Sequence, residues 1–328
     1  MKPVKLYIYP TYTPSRDKSG NLYIKYFHDA FHKDKSFNVL NRLWQLGIAS
    51  LLFNIDAKVF IIQWVDLIPG KRFGKIQFIL FLFLISLIDI MGKHIIWILH
   101  NKHAHKGKSK LVDYGMSFMA KKADKVFAHS KEGVTFFDTK YSRYAGKCSY
   151  VPHPVYSSTI YPSQETKYDY IIWGSIDKRK NILEFLRASK KMPYFNDKRI
   201  LLCGRCASKE YDEAINKEKG VNVTYINRFI SDEELIDYIS KSCYILFTYN
   251  AESMLSSGAL IYSLNFCKPI IGPNVGSFAD EKDIVNTYNH FDEIPFLNIK
   301  FDKEACLSYL KENTWDKLPN RIMTLITE

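Results

Sequence analysis

Short apolar runs alternate with helical segments along the whole chain. The largely apolar run Val4–Tyr9 ends at Pro10, as expected for a strand of a parallel sheet. Apolar residues then recur at helical spacing over Asn21–His32. The same patterns predict further strands over Lys58–Trp64, Ile95–Leu99, Lys125–Ala128, Tyr168–Trp173, Arg199–Cys203, Val221–Tyr225, Cys243–Thr248 and Pro269–Gly272, and helices over Leu111–Ala123, Ile182–Lys190, Ser231–Ser240 and Ser257–Phe266. Strands that alternate with helices predict α/β architecture with open parallel sheets.

The alternation stops once, at the proline-rich stretch VPHPVYSSTIYP that begins at Val151. This break predicts two Rossmann-like domains, over residues 1–153 and 154–310, and a last helix over 311–328 that crosses back to the first domain. Parallel sheets bind ligands at the carboxyl ends of their strands. We therefore expect the functional residues to lie directly after strands, in a cleft between two facing sheets.

The most apolar segment, Ile76–Met91, is 16 residues long and follows Lys71, Arg72 and Lys75. A helix that spans a bilayer needs about 20 apolar residues. Two interpretations therefore stand beside each other. The helix either covers the sheet, or rests one face on a membrane surface with basic residues at its edge.

Composition narrows the choice of partner. The 328 residues are 47% hydrophobic and 24% charged, which suffices for two buried cores. The net charge of +12 favours an anionic partner. The basic residues are scattered rather than gathered beside stacking aromatics, so nucleic acid is not expected. The six cysteines lack a compact spacing and the N-terminus lacks an apolar signal core, so we expect reduced thiols and a cytoplasmic protein, with contact at the inner face of the cell membrane as an extension.

Several familiar sites are absent from the sequence. No G-x-G-x-x-G motif follows a predicted strand, which argues against a dehydrogenase. The segment Gly107-Lys108-Ser109 resembles the end of a P-loop, but Lys102 occupies the position of its first glycine. The single Cys203-x-x-Cys206 pair is better explained by core thiols than by zinc.

Three segments after predicted strands carry candidate chemistry. His100, His103 and His105 follow the strand Ile95–Leu99, and they fit a substrate-contacting loop, an ordinary polar loop or a metal site. The segment 174–181 (GSIDKRKN) places Arg179 and Lys180 before a helix, where they could clamp a diphosphate, or form a solvated basic turn. The small residues 256–259 precede another helix and fit either an anion-binding backbone or a simple N-cap.

These segments resemble the glycosyltransferases of the GT-B fold, nearest to the family 4 group and its bacterial polysaccharide branch. The resemblance covers nearly the whole chain. The motifs that carry it are NLYIKY from Asn21, IIWILHNKHAHKG from Ile95, VPHPVY from Val151, IIWGSIDKRKNI from Ile171, SSGALIYSLNFCKPIIGPNVGSF from Ser256, and Trp315 in the last helix. The resemblance implies transfer of a sugar from a nucleotide-diphosphate sugar to a saccharide or lipid-linked saccharide acceptor, with no metal ion and no further cofactor.

The same resemblance assigns roles to individual residues. His100 would contact the donor sugar, and Arg179 and Lys180 would hold the diphosphate; these three form the catalytic set. The donor-binding set is Gly174, Ser175, Arg205, Glu252, Ser256, Ser257, Gly258, Ala259, Leu260 and Tyr262. On the acceptor side we place Thr13, Asn21, His28, Asp29, His103 and His105.

Met254 and Tyr262 stand where the family carries a pair of glutamates, and Glu252 is two positions from the first. Cations fixed on the phosphate would still stabilise the departing diphosphate. If the reaction inverts, His28, Asp29 or His105 could serve as the base, and retention stays equally open. The alternative is a nucleotide-sugar-binding partner subunit without catalysis.

Overall fold

In the computed structural model of the chain, structure is described for residues 2–12, 21–102, 109–250 and 254–327, without the side chains of 325–327. Strands within these ranges form two six-stranded sheets in which every pairing is parallel. The first sheet contains β1 (Val4–Tyr9), β2 (Phe37–Val39), β3 (Val59–Gln63), β4 (His94–Leu99), β5 (Lys125–Ala128) and β6 (Cys148–Tyr150). The second contains β7 (Tyr168–Trp173), β8 (Ile200–Cys203), β9 (Val223–Ile226), β10 (Ser242–Leu246), β11 (Ile270–Pro273) and β12 (Val285–Tyr288).

Helices connect the strands, as parallel pairing requires. In chain order they are α1 (Leu22–Lys33), α2 (Gly74–Ile90), α3 (Lys110–Lys122), α4 (Lys131–Lys140), α5 (Ile182–Ser189), α6 (Lys209–Glu218), α7 (Asp232–Ser240), α8 (Gly258–Ser263), α9 (Gly276–Asp280), α10 (Lys303–Glu312) and α11 (Leu318–Thr327). Shorter 3₁₀ segments include Trp44–Asn54, Lys178–Lys180 and Trp315–Lys317. Within the described ranges no helix combines the length and the apolar character needed to cross a bilayer.

Each sheet has one point where the strand order reverses. The orders are β2-β1-β3-β4-β5-β6 and β12-β11-β10-β7-β8-β9. The first sheet therefore reverses between β1 and β3, and the second between β7 and β10. In open α/β sheets such a reversal opens a crevice at the carboxyl ends of the two strands, which is the usual place for a ligand.

The chain forms two compact units, Met1–Tyr156 with Asn313–Glu328, and Ser157–Glu312. The sequence placed the corresponding boundaries at 153/154 and 310/311. The core of the first unit includes Trp315, Leu318 and Ile322 from the C-terminal segment, packed with side chains of α1 and the first sheet. The core of the second unit surrounds Tyr170 and Ile172 of β7.

Three strands were missed by the sequence patterns: β2, β6 and β12. All three lie at the edge of a sheet and have only three or four residues. The predicted helix Ser257–Phe266 is α-helical as far as Ser263, and its last three residues form a 3₁₀ turn. The predicted strand Val221–Tyr225 begins two residues late in the structure, at Val223.

Candidate functional site

The reversal point of the second sheet carries a buried lysine. Lys180 ends the 3₁₀ turn that follows β7, and only 7% of the residue is exposed. Its Nζ donates a 2.6 Å hydrogen bond to the carbonyl oxygen of Trp173, the last residue of β7. The same Nζ lies 5.4 Å from the ring centre of Tyr249, which follows β10, and 6.0 Å from that of Trp173. The ammonium thus sits at the crevice between β7 and β10.

This ammonium has no ion-pair partner in the described part of the chain. No aspartate or glutamate there comes within ion-pair distance of Lys180 Nζ, whereas the neighbouring Arg179 has such a partner. Glu252, placed near this site from the sequence, lies outside the described residues. A buried charge without a partner is costly. The arrangement therefore favours an anion at this position.

Two glycines make room for the lysine. Gly174 has a φ of +100°, and a Cβ there would lie 2.6 Å from Lys180 Nζ. Gly204, with a φ of +144°, approaches the carbonyl oxygen of Gly174 so closely that a Cβ would lie 1.9 Å from it. The ends of β7 and β8 can meet, and the ammonium can reach Trp173, only because both side chains are missing.

The predicted cation pair is divided in the structure. Arg179 is half exposed, and its guanidinium bonds to both carboxylate oxygens of Asp177, at 3.1 Å from Nε and 2.7 Å from Nη2. Burial acts to raise the pKa of Asp177, but the Arg179 guanidinium outweighs it and holds that pKa below its ordinary value. The charge of Arg179 is therefore balanced within the turn. Ser175 and Arg205 lie exposed beyond β7 and β8.

The second donor-side segment meets the first. Ser257 caps α8 by accepting from Leu260 N at 3.2 Å, and its Oγ lies 3.4 Å from the Tyr249 hydroxyl. Tyr262 packs edge-on against Trp173, with ring centres 5.4 Å apart. Ser256 is half-buried, and its Oγ has no partner among the described residues. Ser257 N bonds to Ser277 Oγ at 3.3 Å, which ties the start of α8 to α9.

In the first unit, three histidines surround one tyrosine. The ring centre of Tyr23, on α1, lies 5.0 Å from that of His100, 5.5 Å from His129 and 5.3 Å from His153. His100 follows β4 and His129 follows β5, so strand ends bring the rings together. Trp64, which follows β3, stacks on His100 at 3.9 Å with an angle of 4° between the planes.

Hydrogen bonds assign the protons of this cluster. His129 Nδ1 donates to the carbonyl oxygen of Val151 at 2.8 Å, so its Nε2 accepts from the Tyr23 hydroxyl at 2.7 Å. His153 Nδ1 donates to the carbonyl oxygen of Pro154 at 2.8 Å. His100 Nε2 donates to Gln63 Oε1 at 2.9 Å, which leaves Nδ1 as the accepting nitrogen.

Burial keeps these imidazoles neutral. It lowers the pKa of His129 to about 4 and that of His153 to about 3. The pKa of His100 falls well below its ordinary value, first through burial and then through the nearby His129 and His153. Neutral rings can orient a hydroxyl group by hydrogen bonding, but they carry no charge to a phosphate.

The loop after His100 is anchored at its start. Asn101 Nδ2 donates to Asp66 Oδ2 at 3.0 Å, and Lys102 forms an ion pair with Glu132. His103 and His105 lie outside the described residues, as does Thr13. No group of three metal-ligating side chains occurs among the described residues.

The remaining acceptor-side residues lie on α1. Asn21 caps the helix by accepting from Tyr23 N at 3.0 Å. His28 is buried, and its Nε2 donates to the carbonyl oxygen of Pro10 at 3.1 Å, directly after β1. Burial lowers the pKa of His28 to about 4. Asp29 is half-buried. A base with so low a pKa accepts protons weakly near neutral pH, so His28 is poorly suited to general-base catalysis.

The pair Cys203 and Cys206 has a structural role. Cys203 is buried in β8, and burial raises the pKa of its thiol to about 12. Cys206 Sγ donates to the carbonyl oxygen of Ser208 at 3.4 Å. All six cysteines are free.

Six aromatic or imidazole residues of these sites were missed from the sequence: Tyr23, Trp64, His129, His153, Trp173 and Tyr249. Trp64 and His129 come directly after β3 and β5, and Tyr249 directly after the predicted strand Cys243–Thr248. The rule that located His100 would have found His129 and Tyr249, which directly follow predicted strands. It would not have found Trp64, because the predicted strand Lys58–Trp64 included that residue. His153 gave no such signal beyond its place in VPHPVY.

Two six-stranded parallel sheets of this topology define the GT-B fold, which confirms the predicted fold class. Several solved structures match nearly the whole chain. Sucrose-phosphate synthase from Thermosynechococcus elongatus aligns with a TM-score of 0.69 at 12% identity, over 100% of this chain and 98% of that chain. HepE from Anabaena, in complex with UDP, aligns at 0.65 and 10% identity, over 99% of each chain. The lipopolysaccharide outer core galactosyltransferase WaaB, in its apo form, aligns at 0.61 and 11% identity, over 98% of this chain and 99% of that chain.

Neither a family model nor a curated protein matches the sequence. At identities this low the alignments establish the fold, and the activity has to be argued from the residues.

Proposed function

We propose that the chain is a glycosyltransferase that moves a sugar from a nucleotide-diphosphate sugar to a saccharide or lipid-linked saccharide acceptor. The observation that carries this proposal is the buried ammonium of Lys180 at the reversal point of the second sheet. It has no ion-pair partner among the described residues, and a diphosphate would supply the missing charge.

The chemistry follows from where charge develops. As the bond between the sugar and the phosphate breaks, negative charge grows on the leaving diphosphate and positive charge on the sugar. A fixed cation close to the oxygens of the leaving diphosphate lowers the activation barrier, because it does not have to reorganise during the reaction. Lys180 has this role in our proposal, helped by the backbone at the start of α8, Gly258 and Ala259. Because the site supplies its own cation, we propose transfer without a metal ion.

The first unit would handle the sugar and the acceptor. His100 presents Nδ1 as an acceptor while Trp64 and Gln63 fix the ring, so it suits a hydrogen bond from a sugar hydroxyl. His28 has a poor pKa for general-base catalysis. This favours Asp29 over His28 if the reaction inverts.

Structural neighbours suggest the first substrates to test. HepE has been crystallised with UDP and with UDP-glucose. WaaB is a galactosyltransferase of the lipopolysaccharide outer core. We therefore propose a UDP-linked sugar as donor and a cytoplasmic step of bacterial surface polysaccharide synthesis (capsule, exopolysaccharide or O-antigen) as the setting.

A second candidate is a nucleotide-sugar-binding partner subunit without catalysis. It is favoured by Met254 and Tyr262, which replace the paired glutamates of the family. The ring of Tyr262 packs against Trp173, where the family would place a carboxylate. Tight binding of a nucleotide sugar, without hydrolysis or transfer to any saccharide acceptor, would support this candidate.

The test starts with calorimetric titration of UDP-, GDP-, CMP- and dTDP-linked sugars, followed by release of the nucleotide in the presence of saccharide acceptors. In the variant Lys180→Met we expect kcat to fall about 10²- to 10³-fold, the usual loss for one fixed electrostatic contact. The matched control is Lys178→Met, because Lys178 is exposed two positions earlier. Wild-type turnover in Lys180→Met would contradict the proposed role of this lysine.

A further inference from the structure

Helix α2 exposes an apolar stripe to solvent. Ile76, Ile79, Phe83 and Ile90 are 68%, 68%, 62% and 80% exposed. Their spacing places all four on one face of a helix. We call them the apolar ridge. The opposite face packs into the first unit through Phe78, Phe81, Leu84, Ile85 and Ile88.

Further exposed apolar side chains flank the ridge. Helix α2 has 17 residues, about 25 Å at the rise of an α-helix. Phe73 before it and Met91 after it are 66% and 44% exposed. The 3₁₀ segment Trp44–Asn54, which packs beside α2, exposes Leu46 and Phe53 as well. Exposed apolar side chains gathered on two neighbouring elements mark an interaction surface.

Basic side chains accompany the ridge. Lys71, Arg72 and Lys75 are exposed before and at the start of α2, and Lys71 donates to the Tyr9 hydroxyl at 2.9 Å. A cavity of about 600 Å³ borders α2 at Ser86, between α3 and the end of α4. Its charged lining is entirely cationic: Lys121, Lys122, Lys140 and Arg143.

Half of the cationic charge in this basic cavity is unbalanced. Lys122 pairs with Asp89, and Lys140 pairs with Asp113 at 3.1 Å. Lys121 and Arg143 are exposed, and neither has a carboxylate partner in the described ranges. The cavity therefore presents positive charge directly beside an apolar surface.

A buried hydroxyl in the cavity wall points to the same ligand chemistry. Tyr141 lines the cavity and is only 6% exposed, and its hydroxyl has no hydrogen-bond partner among the described residues. Burial raises the pKa of Tyr141, so the group remains a donor. A buried donor without an acceptor is unfavourable, and an anionic oxygen entering the cavity would relieve it.

We propose that this face of the first unit docks on an anionic phospholipid bilayer. The apolar ridge enters the boundary between headgroups and acyl chains, and the basic cavity receives a phosphate headgroup. Charge argues for lipid over a second copy of this chain. In a two-fold pair the patch faces its own copy, so a surface with an excess of positive charge would meet another of the same sign. The proposal is independent of the proposed function, since lipid binding needs no sugar substrate.

Flotation of the full chain with vesicles tests the surface. We expect binding to vesicles of phosphatidylcholine with phosphatidylglycerol. Binding to phosphatidylcholine alone should be weaker by a factor of about ten, because basic groups near an anionic surface add affinity. The variant I79Q/F83Q should lose binding to both. Glutamine is a good helix former and both positions are exposed, so circular dichroism should not change. The control V221Q/F296Q removes two exposed apolar side chains elsewhere and should bind as the wild type does.

A second pair of variants tests the cavity. K121Q/R143Q should bind phosphatidylcholine vesicles as before but lose its preference for phosphatidylglycerol. The control K191Q/K217Q removes the same charge from exposed positions of the second unit and should keep that preference. Three results would overturn the proposal: no vesicle binding by the wild type, equal losses in variants and controls, or a wild-type dimer in sedimentation equilibrium that I79Q/F83Q converts to monomer.

Discussion

The two units place rings around the carboxyl ends of their strands but treat charge in opposite ways. In the first unit, Tyr23 and three imidazoles are buried together. Each imidazole is neutral and donates its single N–H proton in a hydrogen bond. In the second, the rings of Trp173 and Tyr249 flank an ammonium, and no ion-pair partner for it occurs in the described ranges. The first cluster carries no net charge, whereas the second has a place for an anion.

This difference separates structural burial from functional burial. A satisfied polar cluster adds rigidity and suits the positioning of a substrate. A buried charge without its partner costs stability, and ligand binding can recover that cost. Removing a polar group should therefore lower the free energy of unfolding in the first cluster and raise it at Lys180.

Acid should destabilise the first unit selectively, and this is the largest effect we expect. Burial lowers the pKa to about 4 for His28 and His129 and to about 3 for His153, so the unfolded chain binds more protons below about pH 6.5. Their stabilisation is complete above that pH and is lost as the pH falls, at up to about 1.4 kcal/mol per pH unit for each histidine. Hydrogen exchange at pH 7 and pH 5 should show less protection in the first unit.

The second unit is the internal control for that experiment. Its single histidine, His290, is exposed. Carboxylates with lowered pKa, such as Asp169 and Asp177, weaken it only when the pH falls below the ordinary range of an aspartate, near 4. Equal loss of protection in both units between pH 7 and pH 5 would contradict the assignment of neutral, buried histidines.

The next effect concerns the centre of the imidazole cluster. Tyr23→Phe keeps the ring but leaves His129 Nε2 buried without a donor, so the free energy of unfolding should fall by about 2 kcal/mol. Urea denaturation measures it. Tyr26→Phe on the same helix is the control, because Tyr26 is partly exposed and its ring stacking on Trp315 is retained. Equal costs for the two variants would show that the hydroxyl of Tyr23 has no special role.

The smallest effect has the opposite sign. Without nucleotide, Lys180→Met should raise the free energy of unfolding by about 1 kcal/mol, because an apolar side chain replaces a buried charge. Arg179→Met should lower it instead, since Asp177 would lose its partner. Urea denaturation of both variants decides the matter. A loss of stability in Lys180→Met as large as in Arg179→Met would mean that the lysine is already satisfied.

The sequence patterns found the interior strands because burial on both faces leaves a continuous apolar signature. Strands β1, β5 and β7 match their predicted bounds for that reason. Strands β2, β6 and β12 lie at sheet edges, where one side lacks a neighbouring strand, and their short sequences FNV, CSY and VNTY contain polar residues. Such segments are recognisable only once their pairing partner is known.

The candidate sites divide in the same way. Local motifs were enough to single out Gly174, Lys180 and Ser257, because a strand, a glycine and a helix start are neighbours in sequence. The pairing of Tyr23 with His129 joins residues 106 positions apart, and the capture of Arg179 by Asp177 depends on rotamers. Spacing alone could not show that Arg179 forms an ion pair with Asp177 whereas Lys180 has no such partner among the described residues.

The discontinuity of the first unit makes its core depend on the last segment of the sequence. Residues 157–312 of the second unit are contiguous, whereas the first unit draws Trp315, Leu318 and Ile322 from the segment that follows them. A chain shortened to residues 1–312 would keep every residue of the second unit but leave the first unit open. Side chains of α1 that pack on Trp315 would then be exposed, which favours aggregation or chaperone binding.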